Sequence, residues 1–167
     1  MATQSPFRDG HERQYHIGCG PGEVGRYVLL PGDPGRVPKL AALLDDPREI
    51  AHRREFLTWT GTLDGVSVSV TSTGVGAPST AIAVEELAWL GADTFVRVGT
   101  AGLLQPDTMT SGDLVVVSAA VRDEGTSVQY VPLAYPAVAD VEVVAAFRDA
   151  CLAAGVPHHV GVCHSKD

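Results

Sequence analysis

Apolar and polar positions along the chain alternate between two periods. Tyr27-Val28-Leu29-Leu30 is a short apolar run, ended by Pro31-Gly32-Asp33-Pro34-Gly35, a stretch expected to hold neither helix nor strand. Val37, Leu40, Ala41, Leu43 and Leu44 recur at helical spacing, with Asp45-Asp46-Pro47 closing that helix. A hairpin is predicted next: Phe56-Leu57-Thr58-Trp59-Thr60 and the alternating run Val66-Ser67-Val68-Ser69-Val70 flank Leu63-Asp64-Gly65, and Asp-Gly is a strong turn signal. After the glycine loop Gly74-Val75-Gly76, residues 78–90 read as a helix, with proline in its first turn and Gly91 just past its end. Residues 94–98 form a further strand, and 114–121 another whose apolar run predicts cover on both faces. Residues 141–153 read as a helix ended by Gly155, and 159–163 as the start of one more strand.

Strands alternating with helices, with one hairpin inserted, predict an α/β fold with a mixed, mostly parallel sheet flanked by helices. Residues 1–26, rich in Gly, Arg and polar groups, are expected to form an irregular arm ahead of a domain over 27–167. The chain stops at His164-Ser165-Lys166-Asp167 as that last strand forms, so the domain is expected to be incomplete on its C-terminal side.

Composition narrows the function. At 167 residues and 45% hydrophobic the chain can bury a core, and 19% charged is too little for disorder. Twelve Lys and Arg against twenty Asp and Glu leave a net charge of −8. That balance argues against nucleic acid or an anionic membrane as a partner, since phosphate contacts need clustered positive charge. Cys19, Cys151 and Cys163 are an odd number without pattern and suit a reducing compartment. No apolar run reaches membrane-spanning length and the N-terminus is polar, so the expected location is the cytoplasm, without a signal peptide.

Three strand-to-loop junctions could carry chemistry: Gly32-Asp33-Pro34-Gly35-Arg36, Ser72-Thr73-Gly74-Val75-Gly76 and Arg97-Val98-Gly99-Thr100. In open α/β sheets ligands bind beyond the carboxyl ends of strands. Glycine admits a ligand to backbone N–H groups, and arginine offers a planar fork to an oxyanion. Arg97, within a strand, is either an ion-paired structural group or an anion ligand, and both readings stay open. The glycine loop lacks the Lys-Ser/Thr of a Walker motif and the third glycine of a dinucleotide fingerprint, which disfavours ATP and NAD. His158, His159, Cys163 and His164 match no zinc spacing. His16 reads by itself as an exposed surface histidine. Neither Ser72 nor Ser79 has a base partner in the sequence, which disfavours a covalent nucleophile.

The run from Ser72 to Leu87 (STGVGAPSTAIAVEEL) resembles the signature of nucleoside phosphorylases of the uridine and hexameric purine type. The flanks Pro31-Gly32-Asp33-Pro34-Gly35-Arg36-Val37 and Val96-Arg97-Val98-Gly99-Thr100-Ala101-Gly102 agree. His52-Arg53-Arg54-Glu55-Phe56-Leu57-Thr58-Trp59 and Tyr135-Pro136-Ala137-Val138-Ala139-Asp140 are nearer the uridine type. The resemblance implies phosphorolysis of uridine or a related pyrimidine nucleoside to ribose 1-phosphate and free base, with inorganic phosphate as co-substrate and no organic cofactor. It implies phosphate binding by Gly32, Arg36, Arg97 and Thr100, with Arg36 and Arg97 acting in catalysis and Arg54 supplied by a neighbouring subunit. It further implies nucleoside contacts from His16 (crossing to the neighbour and meeting the ribose 5′-hydroxyl), Thr100 and Gly102, and a potassium ion held by Glu55, Val75 and Ser79. The assembly implied is a homo-oligomer built from dimers, a hexamer in the family. The rivals are a purine nucleoside phosphorylase and a truncated, non-catalytic paralogue that binds phosphate or co-assembles with full-length subunits.

Overall fold

The computed structural model of the chain describes residues 12–166. Two compact units divide it, Met1–Thr100 and Ala101–Asp167. In the first, a five-stranded sheet has the order β2-β3-β4-β1-β5, formed by β1 (Tyr27–Pro31), β2 (Asp45–Arg53), β3 (Phe56–Leu63), β4 (Val66–Thr71) and β5 (Thr94–Val98). β4, β1 and β5 run parallel, whereas β2, β3 and β4 pair antiparallel. The sheet is thus mixed, with helices α1 (Val37–Ala41) and α2 (Ala77–Trp89) on it.

Strand alternation builds two cores. Val28, Leu30 and Phe56 join Ala83 and Leu87 of α2, together with Ile17 and Cys19 from upstream of β1. Leu57, Val68 and Val70 join Val37, Ala41 and Leu44 on and after α1. The hydroxyl positions of the hairpin are buried too. Thr58 Oγ1 pairs with Thr71 Oγ1 at 3.0 Å, and Thr60 Oγ1 with Ser69 Oγ at 2.7 Å, each across β3 and β4. The turn joining those strands has Asp64 at φ 50 and Gly65 at φ 78, the left-handed pair that a two-residue hairpin demands.

Four expectations need correction in this unit. The helix predicted to reach Leu44 stops at Ala41; Leu43 N–H bonds Leu40 and Leu44 N–H bonds Ala41, tighter three-residue closures that turn the chain. Asp45-Asp46-Pro47 does not merely close that helix but opens β2, an edge strand whose charged sequence hides it from periodicity. Proline and register shifts are tolerated there because one side of an edge strand needs no partner. The loop 31–35 gives Pro31 to β1 and Pro34-Gly35 to a one-turn 3-10 helix, Pro34–Arg36, capped by the Asp33 carboxylate, which accepts from Gly35 N–H. Of the expected arm, residues 1–11 lie outside the described residues; 12–26 are mostly irregular, yet they put Ile17 and Cys19 fully into the core.

The second unit holds a three-stranded sheet ordered β7-β6-β8, from β6 (Leu114–Asp123), β7 (Ala137–Val138) and β8 (His158–Lys166). β6 and β8 run parallel, joined through α3 (Val141–Ala154). Asp140 caps α3 by accepting from Glu142 and Val143 N–H, and Gly155 ends it at φ 63. Arg122 fixes the connection after β6 by donating to Ser127 Oγ and to the Val131, Pro132 and Tyr135 carbonyls. The cover expected on both faces of β6 is not found: Leu114 is 49% and Val121 53% exposed. Within this unit α3 packs against β6 and β8. No helix among the described residues is long and apolar enough to cross a membrane.

Candidate anion site at the strand ends

Because β4, β1 and β5 are parallel neighbours, their carboxyl ends lie side by side, and the loops at 32–36, 72–76 and 99–100 leave the same edge of the sheet. Thr73 N–H donates to Pro31 C=O and Gly74 N–H to Gly32 C=O, extending the β1–β4 ladder so that two of these loops leave together. Arg97 folds over the first of them. Its Nη1 donates to the Leu30 carbonyl at 3.0 Å and the Val98 carbonyl at 2.7 Å. A Cβ on Gly32 would sit 3.1 Å from Arg97 Nη2, and one on Gly99 only 3.0 Å from Nη1, so glycine at both places admits the guanidinium.

Partial burial lowers the Arg97 pKa, and the nearby positive charge of Arg36 lowers it further. Among the described residues neither arginine carries a carboxylate partner: Arg97 binds carbonyls, and Asp33, the acid of that loop, spends its side chain on Gly35 N–H. Of the two readings open for Arg97, no ion pair forms among the described residues. The like charges of the two arginines disfavour each other, and an anion near both would relieve that repulsion. Thr100 lies exposed two residues past β5.

The β2–β3 turn is Arg54-Glu55, because Arg53 faces Phe56 in the register. Arg54 is exposed at φ 53, a left-handed conformation uncommon for a side chain of this size. Ser72 anchors that turn: its Oγ donates to the Glu55 carbonyl at 2.6 Å and accepts from Leu57 N–H at 2.8 Å. The Glu55 side chain packs on Gly74, where a Cβ would come within 2.7 Å of Glu55 Cγ and 3.4 Å of Ser79 Oγ. Ser79 Oγ in turn donates to the Val75 carbonyl at 3.2 Å. Glu55, through its Cβ and Cγ, and Ser79, through its hydroxyl, thus flank Gly74, and with the Val75 carbonyl these residues offer oxygen donors only. This all-oxygen set fits a hard cation and lacks the nitrogen and sulfur that zinc prefers.

His16 is not the exposed surface histidine expected from its sequence context. Its side chain is 24% exposed, and Nδ1 lies 2.6 Å from Oε1 of the buried Glu86 on α2. Gly102 falls in the second unit, where it is exposed. His159 pairs with Asp113 and His164 with Asp123, and among the described residues no three His, Cys, Asp or Glu side chains converge as a metal site. Sequence reasoning missed the roles of Glu86, which holds His16, and of Ser72, which anchors the β2–β3 turn. Nothing in a pattern separates a buried helix glutamate from an exposed one, although Glu86 falls three residues from Ala83 and beside Leu87 on the core-facing stripe.

Residues 26–167 match the Phosphorylase superfamily. The chain belongs to that superfamily. It is similar to the uridine phosphorylase of Thermococcus kodakarensis, with 60% identity over 92% of this chain and 55% of the relative. The uridine phosphorylases of Treponema pallidum and Escherichia coli are 50% and 48% identical, again over 92% of the chain, with 59% and 61% of their own lengths covered. The chain therefore spans a little over half the length of the curated relatives it matches. The mixed α/β architecture and the strand-end loops are as the superfamily resemblance implied.

Proposed function

We propose that the chain supplies the phosphate-holding part of a uridine phosphorylase, which splits uridine or a related pyrimidine nucleoside with inorganic phosphate in the cytoplasm. What supports this is that Arg97 lies against Gly32 of the loop carrying Arg36 and feels the charge of Arg36, with no carboxylate partner for either arginine among the described residues. In this reading Gly32, Arg36, Arg97 and Thr100 hold phosphate, with Arg54 reaching in from a neighbouring subunit of a homo-oligomer. His16, Thr100 and Gly102 contact the nucleoside, and Glu55, Val75 and Ser79 hold a potassium ion that contributes charge and order at the loop junction.

The chemistry needs no nucleophilic side chain. A phosphate oxygen forms a bond to C1′ as the C1′–N bond breaks, and the bonding pair leaves with the base, which ends protonated. Positive charge develops on the sugar in the oxocarbenium-like transition state. A phosphate fixed beneath C1′ opposes that charge and is already placed to attack. Each charge-assisted hydrogen bond from the arginines contributes roughly 1.5–3 kcal/mol, enough at short range to overcome the net negative charge.

Incubation with uridine should release uracil only when phosphate is present, and Arg97→Ala should slow that release by about 10²-fold while the far-ultraviolet circular dichroism stays unchanged. Uracil release without phosphate, or full activity in the variant, overturns the reading. Inosine in place of uridine tests the purine alternative.

A further inference from the structure

Glu86 is 1% exposed, yet it belongs to no part of the anion site. Its carboxylate oxygens accept from His16 N–H at 3.1 Å and from Ile17 N–H at 2.9 Å, and Oε1 faces His16 Nδ1 at 2.6 Å. One side chain on α2 thus grips both the backbone and the ring of a residue seventy positions earlier. Tyr15 stands edge-on to the same ring, with centroids 4.9 Å apart at 83°.

We propose that Glu86 is a positioning residue that fixes the tautomer of His16. Both carboxylate oxygens already accept hydrogen bonds, so the short contact places the proton on Nδ1 and leaves Nε2 of the neutral ring as a bare acceptor. A bare Nε2 suits a ligand group that donates, namely a sugar hydroxyl. The same carboxylate holds 16–17 by their backbone, so ring and main chain are set together, as outer hydrogen bonds set the ligands of a metal site. This deepens the nucleoside contact assigned to His16 above and rests on that reading for its substrate.

Two measurements test it on the intact chain. Nitrogen-15 spectra of the histidine rings, taken where the neutral form dominates, should show His16 protonated at Nδ1. Glu86→Gln, whose amide nitrogen donates towards the ring, should move the proton to Nε2. A wild-type ring protonated at Nε2 overturns the proposal without any variant having to fold. In the phosphorolysis assay, Glu86→Gln should raise KM for uridine about three- to tenfold, as expected for one lost hydrogen bond, and leave KM for 5′-deoxyuridine within about twofold. In a His16→Ala background the same change should add nothing. An equal loss on both substrates reduces Glu86 to a structural group and overturns the proposal, even with phosphorolysis intact. A wild-type chain that shows the Nδ1 proton but never cleaves uridine leaves the positioning role standing and refutes the assigned reaction.

Discussion

Arg97 shows how local crowding makes a charged residue chemically available. It sits in a strand with its side chain exposed, its partners are two carbonyls, and the charge of Arg36 acts on it. Cys19 shows the reverse, a reactive group made inert. Burial pushes its thiol from an ordinary 9.0 up to about 11. Because the folded value lies above the unfolded one, the folded state gains relative stability below about pH 9 and loses it as pH climbs towards 11. Urea unfolding at pH 8 and pH 11 should therefore show a steeper fall for the wild type than for Cys19→Ala, by about 2 kcal/mol. Equal falls would refute the buried-thiol account.

Between strands and helices, the decisive device is contact between loops. Gly74 stands at φ 70, with the Glu55 and Ser79 side chains against its α-carbon. Gly74→Ala adds both a left-handed strain and a clash with Glu55, and it displaces the turn that carries Arg54. Its expected cost is about 1–3 kcal/mol in thermal or urea unfolding, with weakened phosphate saturation in the same variant. A stability within about 0.5 kcal/mol of wild type would mean the loop relaxes freely. The sequence made the hairpin, α2 and α3 legible, because Asp64-Gly65, Pro78, Gly91 and Gly155 punctuate them. It left β2 hidden, because a charged edge strand carries no apolar alternation. Ser69 and Thr71 of the alternating strand β4 are fully buried and paired with β3 hydroxyls, pairings that alternation alone does not reveal.

For the whole molecule, the proposed subunit crossing gives a test that no single chain can pass. Arg54 is exposed in the β2–β3 turn. If Arg54 serves a neighbour, inactive Arg54→Ala and Arg97→Ala proteins, mixed and reassembled, should regain about one quarter of wild-type activity. In a mixed dimer one of two sites receives both intact arginines, and half of the dimers are mixed. No recovery on subunit exchange would place Arg54 outside the neighbour's site.

By itself the sequence determined the alternation of strands and helices, the glycine-rich junctions and the superfamily, since those depend on local periodicity and short motifs. Tertiary structure decided which side chains acquire partners. It set Arg97 on the Leu30 and Val98 carbonyls, buried Glu86 against His16, and pressed Glu55 onto Gly74. Such pairings join residues tens of positions apart, and their free energies depend on burial and distance, which no spacing along the chain encodes.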